Sequence, residues 1–233
     1  MKRILLAGAG LMALSVASAI AADIPARMPA KAPVMVRGYN WSGWYIGIQG
    51  GYGWGTSSWT DIGADASTGN FDVNGGLVGG TLGVNWQAPG SPWVFGLEGD
   101  GSWSGIRGST AAGCVPNCET RNNWLATFRG RIGYAFDRVL PYVTGGLAAG
   151  DIEANLAGLP SQSDTRVGWT VGAGVEWAVS GPWTAKVEYL YADLDKMTCG
   201  AVACPVVVGP TDVTFNTNIV RAGINYRFGG TGY

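Results

Sequence analysis

Enzymatic chemistry needs nucleophiles, bases, metal ligands or opposed charges, and this chain is selective about which it carries. Its 233 residues include no histidine. That removes Ser-His-Asp and Cys-His catalysis and most zinc sites. Asp61, Asp65 and Asp72 are too scattered for a calcium loop. No glycine-rich run opens a helix as a phosphate-binding loop would. No catalytic, cofactor-binding or metal site is therefore expected, and the chain does not read as an enzyme. Two sets of residues remain. One is a pair of cysteine pairs, Cys114/Cys118 and Cys199/Cys204. The other is a group of charges, Glu98, Asp100, Arg129, Arg131, Glu176, Lys186, Glu188, Arg221 and Arg227, each set in alternation with apolar residues.

That alternation identifies the elements that position the charges. Eight segments repeat it: Gly43–Ser57, Gly75–Gln87, Trp93–Ser104, Asn123–Phe136, Tyr142–Ile152, Thr165–Val179, Trp183–Leu194 and Phe215–Phe228. In the fourth, Trp124, Phe128, Ile132, Tyr134 and Phe136 share one parity, and Arg129 and Arg131 take the other. The third sets Trp93, Phe95, Leu97 and Trp103 against Glu98 and Asp100. The sixth, seventh and eighth do the same around Arg166 and Glu176, Lys186 and Glu188, and Arg221, Asn225 and Arg227. The fifth is rich in glycine and alanine, and its facing stays open. A period of two over such lengths is the signature of a strand, because a helix would mix the two faces every 3.6 residues.

Composition decides which way the apolar face points. Charged residues are 13% of the chain, about half the share of an ordinary soluble domain, while glycine (39) and tryptophan (11) are abundant. If the apolar parity faced a soluble core, the outside would be Gly, Thr, Ser and Ala with few charges, a poorly hydrated surface. Facing lipid, the same parity makes sense. Trp44, Trp54, Trp86, Trp93, Trp103, Trp124, Tyr134, Trp177 and Trp183 fall near segment ends, where two interfacial girdles would hold them.

Links between segments alternate in length. Residues 88–92, 137–138 and 180–182 are short connections; 58–74, 105–122, 153–164 and 195–214 are long. The expected fold is all-β: an eight-stranded antiparallel up-and-down transmembrane barrel with short periplasmic turns and four longer external loops. Eight strands leave room only for side chains, so the inward charges are expected to plug the lumen as a polar network rather than line an open channel. The cysteines then lie in two outer loops. The exported context favours two local disulfides, with a staple between the two loops as the rival pairing.

The N-terminus supplies the export signal. Lys2 and Arg3 precede an apolar stretch, Ile4–Ile20, followed by small residues at Ala19–Ala22. Residues 1–22 read as a cleaved secretory signal, 23–40 as a Pro-rich periplasmic leader, 41–228 as the barrel and 229–233 as a tail. The formal charge is −1, and −3 once Lys2 and Arg3 are gone, so no basic surface awaits nucleic acid.

Several stretches resemble the small alphaproteobacterial outer-membrane immunogenic, or porin-family, β-barrels. They are 39–47 (YNWSGWYIG) with 50–55 (GGYGWG), 128–134 (FRGRIGY), 142–148 (YVTGGLA), 187–191 (VEYLY) and 220–228 (VRAGINYRF). The resemblance spans the mature chain. It implies an OmpA-like barrel in the outer membrane of a Gram-negative bacterium, acting as an envelope component and surface antigen. A small-conductance pore for small solutes and a barrel that binds haem or an apolar molecule are the alternatives. The implied partners are outer-membrane lipid and lipopolysaccharide, the barrel-insertion machinery at the last strand, and a host or surface ligand at the outer loops. One departure is the tail after Phe228, since such chains usually end on that aromatic.

Overall fold

The computed structural model describes residues 38–61, 67–113, 117–156, 161–200 and 211–228. The signal segment, the leader before Gly38, the tail, Cys114 and Cys204 lie outside the described residues.

Eight strands follow one another: β1 (Gly43–Asp61), β2 (Ser67–Gln87), β3 (Trp93–Thr110), β4 (Cys118–Tyr134), β5 (Val139–Leu156), β6 (Gln162–Ser180), β7 (Trp183–Cys199) and β8 (Thr211–Phe228). Each pairs antiparallel with its sequence neighbours, and β8 returns to β1, so the sheet closes into a barrel with no free edge. Closure pairs each strand on both sides, apart from local bulges, which is the condition for a sheet to cross a bilayer.

Facing follows the alternation. Ile48, Val78, Leu97, Phe128, Val143, Leu147, Val171 and Ile224 point outward and are exposed, whereas Thr127, Arg129, Thr144 and Thr170 point inward and are buried. The open facing of the fifth segment is thereby settled: Tyr142, Thr144 and Ala148 face the lumen. Two aromatic rings bound the outward apolar belt. Near the short turns, Trp93 meets Tyr134 edge-on with centroids 5.3 Å apart, and Trp183 meets Tyr226 at 5.1 Å. At the other rim, Trp103 lies opposite Trp124 on the β3–β4 ladder. Ten residues separate Trp93 from Trp103. At about 3.3 Å per residue and about 40° of tilt they rise about 25 Å, the height of an apolar band.

Two expectations need correction. The strands are 17 to 21 residues long, well beyond the expected segments. All the excess on β1, β2 and β3, and most of it elsewhere, lies on the far side, so the long connections shrink to 62–66, 111–117, 157–161 and 200–210. At the same rise and tilt, 17 residues climb about 43 Å, so the barrel wall stands clear of the bilayer. Sequence alternation does not reveal these extensions because outward residues there, such as Asp72, Arg107, Glu153 and Asp212, break the apolar pattern. Cys118 and Cys199 are the second correction. They sit in strands, at the start of β4 and the end of β7, fully buried rather than in loops. Neither is a free thiol.

The outward assignment has a direct test. Phe128→Arg is expected to cost about 2–4 kcal/mol, because it places a charge near the middle of the lipid-facing band. Phe128→Leu should cost far less. Denaturant titration of the refolded protein in lipid vesicles reads both.

Candidate functional site: a charge-balanced lumen

Inside the barrel, the middle of the lumen is filled by the charges that the alternation pointed inward. Arg129 is the hub. Its Nη1 donates to Glu188 at 2.9 Å, its Nη2 to Asp100 at 2.9 Å and also to Glu98, and its Nε to the Thr127 hydroxyl at 2.8 Å. Arg221 grips Asp100 with both terminal nitrogens, at 2.8 and 3.0 Å, and donates from Nε to Glu188 at 2.7 Å. Lys186 reaches Glu98 at 2.8 Å, and Arg131 reaches Glu176 at 2.7 Å. Four carboxylates (Glu98, Asp100, Glu176, Glu188) thus face four cations (Arg129, Arg131, Lys186, Arg221), all buried. The cluster is formally neutral.

Neutrality is what allows the burial. A lone ion taken from water costs several kcal/mol, recovered only when partners and hydrogen bonds surround it. Neutral side chains complete the shell. Tyr45 donates its hydroxyl to Glu98 at 2.6 Å and accepts from Arg131 at 3.0 Å. The Tyr142 hydroxyl donates to Glu188 at 3.0 Å, while its ring lies 4.0 Å below the Arg131 guanidinium. Thr184 donates to Glu176, and Asn225 Nδ2 donates to the same carboxylate at 3.1 Å.

Space for these side chains comes from glycines on neighbouring strands. Gly51 is the ladder partner of Arg221, and Gly146 that of Arg129. A Cβ at Gly51 would meet Arg221 Cβ at 2.7 Å, and one at Gly146 would meet Arg129 Cα at 2.8 Å. Neither position has room for a side chain beside its arginine.

Two further layers close the lumen. In the outer half the interior turns apolar: Trp59, Phe71, Val73, Leu77, Ile106, Ile152, Leu190, Leu194, Met197, Val213, Phe215 and Ile219 form one buried cluster. At the short-turn mouth, Trp41 is fully buried against Val94 and Leu140. Its indole N–H donates to the Asp137 carbonyl at 3.0 Å, and its backbone N–H to Gln87 at 2.9 Å. Asp137 holds a left-handed backbone (φ 52°) and accepts the Tyr39 N–H on its carboxylate. A turn residue is thus fixed in a sparsely populated conformation where it anchors the entering chain.

The expected network residues divide accordingly. Glu98, Asp100, Arg129, Arg131, Glu176, Lys186, Glu188 and Arg221 come together. Arg227 does not join them. It sits at the mouth, donating to the Asn40 and Ser42 carbonyls at 3.1 and 3.0 Å, with its guanidinium 5.1 Å from the Tyr39 ring and 5.3 Å from that of Trp41. Tyr39 and Asn40, expected in the leader, therefore belong to the barrel's seal. Tyr45, Tyr142, Thr127 and Thr184 were missed as network members, although they share the parity of the charges. The apolar outer layer was missed for another reason: Leu190 and Ile219 have the same parity as Glu188 and Arg221, and parity does not report height.

A closed eight-stranded barrel with two aromatic girdles and a filled, neutral lumen is the architecture of an outer-membrane protein. The family model for the outer membrane protein beta-barrel domain matches residues 9–228. The chain belongs to that family. This outer-membrane barrel is 38% identical to the 31 kDa outer-membrane immunogenic protein of Brucella melitensis biotype 1, over 98% of this chain and all of that protein. It is 34% identical to the 22 kDa outer membrane protein of Rhizobium leguminosarum bv. viciae, over 85% of this chain and 82% of that one. Among solved structures, the outer membrane protein OprG from Pseudomonas aeruginosa aligns with a TM-score of 0.48 at 14% identity, covering 82% of this chain and 99% of that chain. The family is one of outer-membrane barrels and not of enzymes.

The hub makes a quantitative prediction. Arg129→Met leaves Glu98, Asp100 and Glu188 short of a partner and should lower the unfolding free energy by about 3–5 kcal/mol. Arg138→Gln, at the exposed short turn, should leave it within about 0.5 kcal/mol. Denaturant titration in vesicles measures both. A small loss at Arg129 would mean that the cluster is hydrated rather than sealed.

Proposed function

We propose that this outer-membrane barrel is a closed, non-catalytic envelope component that presents its tall outer rim and four outer connections at the cell surface. The observation that carries this reading is the triple filling of the lumen, by apolar side chains outside, the neutral ion cluster at the centre and Trp41 at the inner mouth. A solute would have to displace all three layers, which disfavours a static diffusion pore. Likeness to relatives named immunogenic proteins supports a surface antigen. The absence of histidine removes the commonest general base and a haem ligand of that type, in keeping with this reading. Local disulfides Cys114–Cys118 and Cys199–Cys204 are part of the proposal, since each would pin an outer connection to the buried end of a strand.

Planar-bilayer recording of the refolded chain tests the closed lumen, with heat-modifiable gel migration as the folding control. The expected trace has no steady openings. Steady openings that change on Arg131→Gln or Glu98→Gln would make the barrel a pore instead. Surface presentation has its own readout. A membrane-impermeant amine reagent applied to intact cells is expected to label Lys196, exposed near the outer end of β7, and not Lys186, buried in the lumen. The reverse pattern, or no labelling at either, would contradict the orientation.

A further inference from the structure

Just above the outer girdle, on the lipid-facing side of the wall, Arg107 of β3 lies directly opposite Arg121 of β4. Like charges facing each other across a ladder destabilise it. Arg121 is held bidentately by Glu119, at 2.8 and 3.0 Å. No carboxylate pairs with Arg107 among the described residues. Asn74, next on the same rung, accepts the Tyr52 hydroxyl on its Oδ1, and its amide N–H groups make no hydrogen bond among the described residues.

The rung depends on a break in the strand. On β4, Leu125, Thr127 and Arg129 face inward, and unbroken alternation would carry Arg121 inward too. A bulge at Asn123–Trp124, where two residues of β4 face the single Asp151 of β5, reverses the parity. Beyond it Cys118, Thr120 and Asn122 face the lumen, and Arg121 turns outward beside Arg107. Asn122 fills the break, donating its amide to the carbonyls of Trp124 at 3.0 Å and Asp151 at 2.9 Å. Bulges recur where a side chain must be re-aimed.

We propose that the Arg107–Arg121 rung, with Asn74 beside it, binds a phosphate of an outer-leaflet glycolipid, the phosphorylated lipid of lipopolysaccharide. Depth selects this ligand. Four residues separate Trp103 from Arg107, a climb of about 10 Å from the girdle, and an arginine side chain reaches back from there into the headgroup layer. The groups point sideways into the leaflet, below the outer connections. A guanidinium with no carboxylate partner beside a second one matches a phosphate's oxygens in charge and geometry. Glu119 orients Arg121 through Nε and Nη2, and Glu153 faces it across the β4–β5 ladder, while its Nη1 makes no hydrogen bond among the described residues.

The test uses the full mature chain refolded in neutral detergent, titrated with bisphosphorylated lipid A, with its dephosphorylated form and with inorganic phosphate. At about fivefold per arginine near an anionic surface, the phosphorylated lipid is expected to bind about twenty-five-fold tighter than the dephosphorylated one. The double variant Arg107→Gln/Arg121→Gln should lose that difference while keeping heat-modifiable migration. Arg138→Gln, at the opposite mouth, should keep it. Equal binding of the two lipids would overturn the proposal, as would discrimination that survives in the folded double variant. Saturable binding of inorganic phosphate as tight as that of the lipid would overturn the lipid assignment, marking a site for the free anion.

Discussion

An eight-stranded sheet closed on itself encloses a space only wide enough for side chains, and a membrane offers no water to repair a polar group left alone there. The contents of the lumen therefore constrain everything else in this protein. The solution is a neutral cluster in which Arg129 and Arg221 each bridge more than one carboxylate, Glu98, Asp100 and Glu188 each meet at least two cations, and Glu176 is held by Arg131 with Thr184 and Asn225. Shared partners matter because in a low-dielectric interior a partly satisfied network is worse than none. Glycine placement follows from the same constraint. Gly51 and Gly146 are bare where the arginines pass, and the remaining wall supplies Tyr45, Tyr142 and the threonines as hydrogen-bonding filler.

The vertical order of the three layers connects packing to function. Ions from five strands, β3, β4, β6, β7 and β8, occupy the part of the lumen surrounded by lipid. Above the bilayer the wall continues, and there the interior becomes an ordinary apolar core, with Trp59, Phe215 and Met197 among its members. That core stabilises the projecting rim without help from lipid. Below, Trp41 and Arg227 tie the entering chain to the last strand, closing the mouth with the first and last segments of the barrel. The protein thus behaves as a membrane-embedded solid whose variable surface is its outer rim, consistent with an envelope component presented to the outside.

Much of this was legible in the sequence because the side-chain period of a strand is two and the inner and outer solvents differ so sharply. Phe128 and Ile132 against Arg129 and Arg131 give facing, element type and a lumen network in one stretch. The same pattern failed where its assumption failed. Beyond the girdle, outward residues become polar and inward ones apolar, so β2 reads as a loop from Ser67 to Asn74 although it is strand. At Asn123–Trp124 a bulge inverts the parity, and no alternation count locates such an inversion. Arg227 has the right parity and the wrong height, which is why it belongs with Tyr39 and Trp41 and not with Glu188.

The central claim is that these ions support one another in a sealed lumen, and a double-mutant cycle on Arg221 and Asp100 measures that support directly. The pair is buried and bidentate. Unfolding free energies of Arg221→Met, Asp100→Asn and the double variant, measured in the same vesicles, should yield a coupling of about 1.5–3 kcal/mol. Additivity to within about 0.5 kcal/mol would mean that each ion is solvated on its own, and the sealed, charge-balanced lumen would be contradicted.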